Sequence, residues 1–244
     1  MRNLKVIMAF KGTDYHGFQR QSGIKTVQQT VEEAVGSVLN EKVTIFGCSR
    51  TDKGVHANEY CFNLKTENQI RHRNFLRGIN DRLPDDISLI SCEDVPLDFH
   101  ARYDTKAKEY IYLIHNSESK NPFTRDLALH YRRPMDIELM KKGAEHFLGT
   151  HDFLSFCSKN GEKENTVRTI YKFDIEKNDT AVKMTICGDG FLYNMIRIMV
   201  GTLLWINEGR LTPDDIPSII EAKDRGSSGR TALAHGLYLN KVFY

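Results

Sequence analysis

A short charged turn contains three residue types that can do chemistry. Residues 49–57 read SRTDKGVHA and include the guanidinium of Arg50, the carboxylate of Asp52 and the imidazole of His56. Apolar residues typical of strands precede and follow the turn. A rigid sheet would therefore hold a carboxylate, a guanidinium and an imidazole within a few residues of one another. The alternative is an ordinary hairpin turn, because Asp and Gly are common turn residues.

A single arginine interrupts an apolar segment farther along the chain. Residues 191–206 read FLYNMIRIMVGTLLWI, and Arg197 is the one formal charge among them. A helix that is apolar on every side is buried, and this one is too short and too charged for a membrane span. An unpaired buried arginine costs on the order of 3–5 kcal/mol, so we expect a carboxylate partner, and Asp52 is a candidate. The alternatives are a purely structural ion pair or an arginine that reaches the surface.

Composition limits the class of protein. The 244 residues include 34 Lys+Arg and 32 Asp+Glu, and a net charge of +2 does not by itself indicate a nucleic-acid partner. The five cysteines are odd in number and form no C-x-x-C pair, which favours reduced thiols over a zinc framework. The first residues read as a strand at 4–10 and not as a signal peptide, so we expect a soluble cytoplasmic protein.

The apolar spacing predicts the element order β-α-β-β-α-β twice, with one added helix in the second half. The predicted strands are 4–10, 43–48, 57–65, 87–92, 107–115, 166–176, 180–187 and 237–243. The predicted helices begin at a Thr26–Gln29 capping box, span 71–83, 136–148 and 190–208, and begin again at Thr212-Pro213. We therefore expect an α+β fold of two ferredoxin-like halves, 1–104 and 105–244. The halves would join into one extended, mostly antiparallel sheet with helices on one side and a central cleft where they meet.

Several segments, in this order along nearly the whole chain, resemble the tRNA pseudouridine synthase A family. They are HGFQRQ at 16–21, TVQ at 26–28, RTDKGVHA at 50–57, FHAR at 99–102, KEYIY at 108–112, HDF at 151–153 with SF at 155–156, GFLYNMIR at 190–197 and GLYL at 236–239. The resemblance implies isomerisation of uridine to pseudouridine in the anticodon stem-loop of tRNA. It also implies a homodimer that binds the tRNA across both subunits. Such chemistry needs no cofactor and no metal, and the sequence has no phosphate-binding loop, dinucleotide glycine motif or metal-ligand spacing.

The same resemblance implies roles for individual residues. Asp52 matches the catalytic aspartate, which attacks C1′ or removes a ribose proton; the sequence leaves both routes open. Arg197 would pair with Asp52. Tyr110 would stack on the uracil and serve as general base at C5, whereas a core aromatic on a sheet face is the alternative. Leu192 would form an apolar wall against the base, and Arg50 would contact the flipped nucleotide.

The target uridine must leave its stack, which costs a few kcal/mol that contacts to the RNA backbone have to offset. The polar candidates for these contacts are Gln19, Arg20, Arg71, Arg73, Arg77, Arg132, Arg133, Arg225 and Arg230. For each of them alone, a solvated surface position is the alternative. His56 is expected to brace the turn.

The sequence departs from the family pattern at Lys53, Ser49 and Phe18 and lacks a common proline in 232–234, which leaves the choice of uridine and of RNA open. One alternative is a non-catalytic RNA-binding protein on the same scaffold. Others are a pseudouridine synthase with another RNA target, a metal-dependent hydrolase using Asp52, His56 and His100, and an oligomeric scaffold.

Overall fold

The computed structural model describes residues 1–158 and 165–244, which fall into two compact units. The first comprises Met1–Lys106 with Tyr238–Tyr244, and the second comprises Ala107–Leu237. The division into domains 1–104 and 105–244 stays a prediction. The compact units differ from it because residues Tyr238–Tyr244 group with the first unit.

The strands and helices follow the predicted order, with two short strands added. The strands are β1 (Arg2–Phe10), β2 (Phe46–Gly47), β3 (His56–Thr66), β4 (Ile87–Val95), β5 (Ala107–Asn116), β6 (Leu129–Tyr131), β7 (Gly149–Asp152), β8 (Val167–Asn178), β9 (Ala181–Gly188) and β10 (Leu237–Phe243). The helices are α1 (Val27–Leu39), α2 (His72–Asn80), α3 (Ile137–Glu145), α4 (Met195–Asn207) and α5 (Asp215–Ala222). The sequence did not predict β6 or β7.

The first unit is built on antiparallel pairs with one parallel neighbour. Strand β1 pairs antiparallel with β3 and β4, and β2 pairs antiparallel with β3. Strand β10 pairs in parallel with β3, with Tyr238 opposite His56. The core side chains Leu4, Val6, Phe62 and Leu64 have no exposed surface. Their burial fixes the register of the strands that flank the charged turn.

Helix α1 begins where the sequence predicts. Thr26 is its N-cap, and the threonine side chain accepts a hydrogen bond from the Gln29 backbone N–H. The Gln29 side chain donates to Glu33 and does not return to the cap, so only half of a capping box forms. The helix buries Val27, Val31, Ala34, Val35 and Leu39.

The predicted strand at 43–48 is wrong in length, since β2 covers only Phe46–Gly47. Side chains replace the missing strand partners of Ile45. Its backbone N–H donates to the buried Glu32 carboxylate at 3.1 Å, and its carbonyl accepts from the Gln28 amide at 3.3 Å. Buried backbone groups must be paired, and here α1 supplies the partners instead of a neighbouring strand.

The second unit contains a four-stranded run in the order β5-β9-β8-β7, all antiparallel. Strand β6 lies beside β5 in parallel. The predicted hairpin turn is confirmed: Asp179, between β8 and β9, adopts φ 51°. Helix α3 packs on β8 and α4. Mostly antiparallel strands with packed helices in both units confirm the predicted α+β class.

Two helices of the second unit start later than predicted. Asn194 adopts the left-handed φ of 61°, so α4 begins at Met195 and not at 190. Helix α5 begins at Asp215, because the Asp215 carboxylate accepts bonds from the Thr212 N–H and hydroxyl and makes a local turn before the helix. Across the described ranges, every helix is too short or too polar to traverse a bilayer.

Candidate active site

The charged turn is fixed by backbone hydrogen bonds to the loop that follows β1. The Phe18 N–H donates to the Thr51 carbonyl at 3.2 Å, and the Gly54 N–H donates to the Tyr15 carbonyl at 3.4 Å. Within the turn, the Val55 N–H donates to the Asp52 carbonyl at 3.2 Å. Asp52 itself is partly exposed. A carboxylate that solvent or substrate can reach therefore sits on a backbone with little freedom.

Two glycines permit the loop to approach the turn this closely. A Cβ on Gly12 would lie 1.9 Å from the Val55 carbonyl oxygen. A Cβ on Gly17, whose φ is +84°, would lie 2.5 Å from the Thr51 carbonyl oxygen. No other residue fits at either position without moving the backbone. The loop and the turn thus form one local structure.

His56 braces this structure, as predicted. Its side chain is buried, and Nδ1 accepts a hydrogen bond from the Gly12 N–H at 2.9 Å. The imidazole packs against the Tyr238 ring with centroids 4.6 Å apart. Because Nδ1 acts as an acceptor, the ring carries its proton on Nε2.

We expect His56→Ala to lower the free energy of unfolding by about 2–3 kcal/mol, since a buried N–H loses its partner and a cavity forms beside Tyr238. Urea denaturation measures the change. The matched control is His16→Ala, an exposed histidine of the same loop, which should change stability by less than about 0.5 kcal/mol. Equal effects of the two substitutions would show that His56 does not brace the turn.

Two of the predicted RNA contacts line a pocket beside the turn. Gln19 and Arg50 face an open cavity of about 260 Å³ within the first unit. Arg20 lies next to Gln19 in sequence but forms an ion pair with Glu32 at 2.7 Å, and Glu32 is only 5% exposed. The Arg20 guanidinium is thereby fixed, while about half of its surface stays accessible.

The arginines of α2 occupy its exposed face. Arg73 and Arg77 are exposed, whereas Phe75 and Ile79 are buried on the other side of the helix. This arrangement is compatible with backbone contacts to RNA and equally with a solvated surface.

Three predicted site residues belong to the second unit. Tyr110 on β5 is 6% exposed, and its ring meets Phe191 edge-on with centroids 5.2 Å apart. Leu192 is 4% exposed and lies just before α4. Arg197 is partly buried; its Nε donates to the Ala232 carbonyl at 2.7 Å and its Nη1 donates to Asn194 Oδ1 at 2.6 Å. The pairing of Arg197 with Asp52, a residue of the first unit, stays a prediction.

Two thiols of the first unit, those of Cys61 and Cys92, behave as small apolar groups. Burial raises the pKa of Cys61 to about 11 and that of Cys92 to about 12. Both thiols are therefore protonated at neutral pH and are poor nucleophiles. Within residues 1–158 and 165–244, no three His, Cys, Asp or Glu side chains cluster closely enough to bind a metal ion.

Known proteins match the chain over most or all of its length. A family model described as tRNA pseudouridine synthase matches residues 6–104 and 144–244. A protein named tRNA pseudouridine synthase A from Acetivibrio thermocellus is 46% identical over 244 residues, with both chains fully covered. Proteins of the same name from Clostridium acetobutylicum and Clostridium botulinum are 43% and 45% identical, again with both chains fully covered. The match confirms the predicted family: the chain belongs to the tRNA pseudouridine synthases.

Proposed function

We propose that this enzyme isomerises uridines in the anticodon stem-loop of tRNA and that Asp52 is its reacting carboxylate. Membership of the family establishes the isomerase activity on tRNA. The observation that carries the assignment of Asp52 is its place on a turn that two close-approach glycines and His56 fix. Reacting groups need this kind of preorganised support.

The reaction moves one bond and exchanges protons. The N1–C1′ bond of uridine breaks, the uracil turns within its site, and C5 bonds to C1′. The C5 proton leaves to a base, and N1 takes up a proton, so no atom is gained or lost overall. Asp52 serves either as the nucleophile at C1′ or as the base that removes a ribose proton, and both routes need the ionised carboxylate.

Arg197 is proposed to keep Asp52 ionised, because a nearby guanidinium favours the charged form of a carboxylate. Arg50 would contact the flipped nucleotide, and Leu192 would pack against its base. Gln19, Arg20, Arg73 and Arg77 would contact the RNA backbone. We further propose that the enzyme acts as a homodimer in the cytoplasm; a mass measurement in solution tests the dimer.

Tyr110 is proposed to stack on the uracil and to accept the C5 proton. We expect Tyr110→Phe to lower turnover by roughly 10²–10⁴-fold with nearly unchanged tRNA affinity, because the ring remains and the hydroxyl is lost. Tyr110→Ala should in addition weaken tRNA binding, since it removes the stacking surface. Single-turnover rates and filter binding separate the two effects. Full activity of Tyr110→Phe would show that the Tyr110 hydroxyl takes no part in the reaction.

Release of tritium from tRNA labelled at uridine C5 tests the proposed function. We expect release from tRNA carrying uridines in the anticodon stem-loop and none from a transcript with cytidines at those positions. Intact tRNA binding without release would favour the non-catalytic RNA-binding protein. Release that persists with the cytidine transcript would favour a synthase with another target.

A further inference from the structure

A row of accessible aromatic rings lies along the pocket beside the charged turn. Phe46 is 40% exposed and Tyr103 is 74% exposed, and His100 lies between them. The ring centroids of Phe46 and His100 are 5.3 Å apart, and those of His100 and Tyr103 are 4.3 Å apart. All three residues line the same 260 Å³ cavity. Large aromatic side chains grouped on a surface commonly mark a binding site.

The backbone beneath these rings is held in place by side chains far away in sequence. The buried Asn63 of β3 donates to the Phe99 carbonyl at 3.3 Å and accepts from the Ala101 N–H at 2.9 Å. The hydroxyl of Tyr244 donates to the Ala101 carbonyl at 2.8 Å. Residues 99–103 therefore present their exposed side chains from a rigid support, which lowers the entropy cost of binding a ligand.

Positive charge accompanies the rings. Arg50 and Arg102 both line the cavity and are exposed, and in the part of the chain that the structure describes neither has a carboxylate within ion-pair distance. The Arg102 guanidinium lies 5.8 Å from the centroid of the Tyr103 ring. Nδ1 of His100 accepts a hydrogen bond from the backbone N–H of Arg102 at 3.1 Å, which fixes the imidazole beside this arginine.

We propose that this aromatic pocket binds a second, unstacked nucleotide of the RNA substrate beside the uridine that reacts, since Arg50, the proposed contact of the flipped uridine, also lines the pocket. Its base stacks on the Phe46–His100–Tyr103 row, and its phosphate contacts Arg102. Stacking platforms flanked by cations are how proteins bind unpaired bases, and a cavity of this size suits one base better than a larger ligand. The proposal rests on the RNA substrate of the proposed function but not on the role of Asp52.

The test measures binding separately from catalysis. In an Asp52→Asn background, Tyr103→Ala should raise the Kd for a tRNA transcript by roughly tenfold. Tyr103→Phe should keep the Kd of the Asp52→Asn parent, because the ring that stacks is still present. The matched control is Tyr171→Ala, an exposed tyrosine on β8 that is 56% accessible. This control should leave the Kd within about twofold.

Salt dependence separates the phosphate contact from the stacking contact. Arg102→Ala should weaken binding and lower the slope of log Kd against log salt by about one, whereas Tyr103→Ala should leave the slope unchanged. Photocrosslinking of a tRNA transcript substituted with 5-iodouridine should give peptides modified at Phe46 or Tyr103.

The proposal is overturned if Tyr103→Ala and Phe46→Ala, alone and together, bind tRNA as tightly as the Asp52→Asn parent. It is also overturned if they change the mass in solution with tRNA affinity intact, since the surface would then join subunits. Both results leave the assignment of Asp52 untouched, because that assignment depends on turnover. Conversely, an Asp52→Asn variant that keeps its activity would leave the binding measurements valid.

Discussion

Asp52→Asn should lower turnover of tRNA by on the order of 10⁴-fold while leaving tRNA affinity within about tenfold. The amide keeps the size and hydrogen-bonding shape of the carboxylate but can neither attack C1′ nor remove a proton from the ribose. The turn around it depends on backbone bonds from Phe18 and Gly54 that the substitution does not touch. The loss should therefore be confined to the chemical step, which single-turnover tritium release measures.

The matched control for this experiment is Asp85→Asn, an exposed aspartate of the first unit outside the turn. It removes the same charge and should change neither turnover nor affinity by more than about twofold. Comparable turnover of the two variants would end the assignment of Asp52. A large loss of tRNA affinity in Asp52→Asn alone would mean that the carboxylate shapes the binding surface instead.

Gly201→Ala should destabilise the protein by about 3 kcal/mol or more, which corresponds to a Tm lower by roughly 6–12 °C. Gly201 lies inside α4, and a Cβ there would be 1.7 Å from the Arg230 carbonyl oxygen. The segment after Arg230 is bonded to the same helix, since the Ala232 N–H donates to the Arg197 carbonyl at 2.9 Å. The added methyl must push this segment away and disturb the contacts that orient Arg197.

Gly78→Ala is the control for Gly201→Ala, because it makes the same change inside helix α2. A Cβ on Gly78 would meet side-chain atoms of Val38 and Arg82 at 3.5 Å or more, which is ordinary contact. Alanine favours helix over glycine, so this variant should be as stable as the parent or more stable by up to about 1 kcal/mol. Thermal unfolding of both variants measures the two effects. A Gly201→Ala protein with the same Tm as the parent would contradict the close approach of the Arg230 carbonyl to α4.

Local signals in the sequence were sufficient for most elements. Thr26 caps α1, Asp179 turns the β8–β9 hairpin, and the predicted last strand, 237–243, matches β10. Each of these features depends on residues within a few positions of one another. Such short-range chemistry is what periodicity and capping rules describe.

The errors arose where a distant or competing side chain decides the backbone. The Glu32 carboxylate accepts the hydrogen bond of the Ile45 N–H, so the strand predicted at 43–48 is shortened to Phe46–Gly47. The Asp215 carboxylate accepts hydrogen bonds from Thr212, the predicted cap of α5, and the helix begins at Asp215. The parallel pairing of β10 with β3 joins Tyr238 to His56, and no local pattern contains that information.

The charged turn and the aromatic pocket differ in how far apart their residues lie in sequence. Asp52 could be singled out because its turn is a contiguous segment with an unusual composition. The aromatic pocket could not, because Phe46 lies more than fifty residues from His100 and Tyr103 in sequence, and it is the buried amide of Asn63 that bonds the 99–103 backbone to β3. The FHAR segment at 99–102 is visible in the sequence, but only the folded structure places its His100 beside Phe46.

Mapping of pseudouridine in tRNA from cells that lack this protein tests the central claim most directly. Complementation with the wild-type chain should restore pseudouridine in the anticodon stem-loop, and complementation with Asp52→Asn, expressed to the same level, should restore none. Restoration of the modification by Asp52→Asn would contradict the account, as would unchanged anticodon stem-loop pseudouridine in cells without the protein.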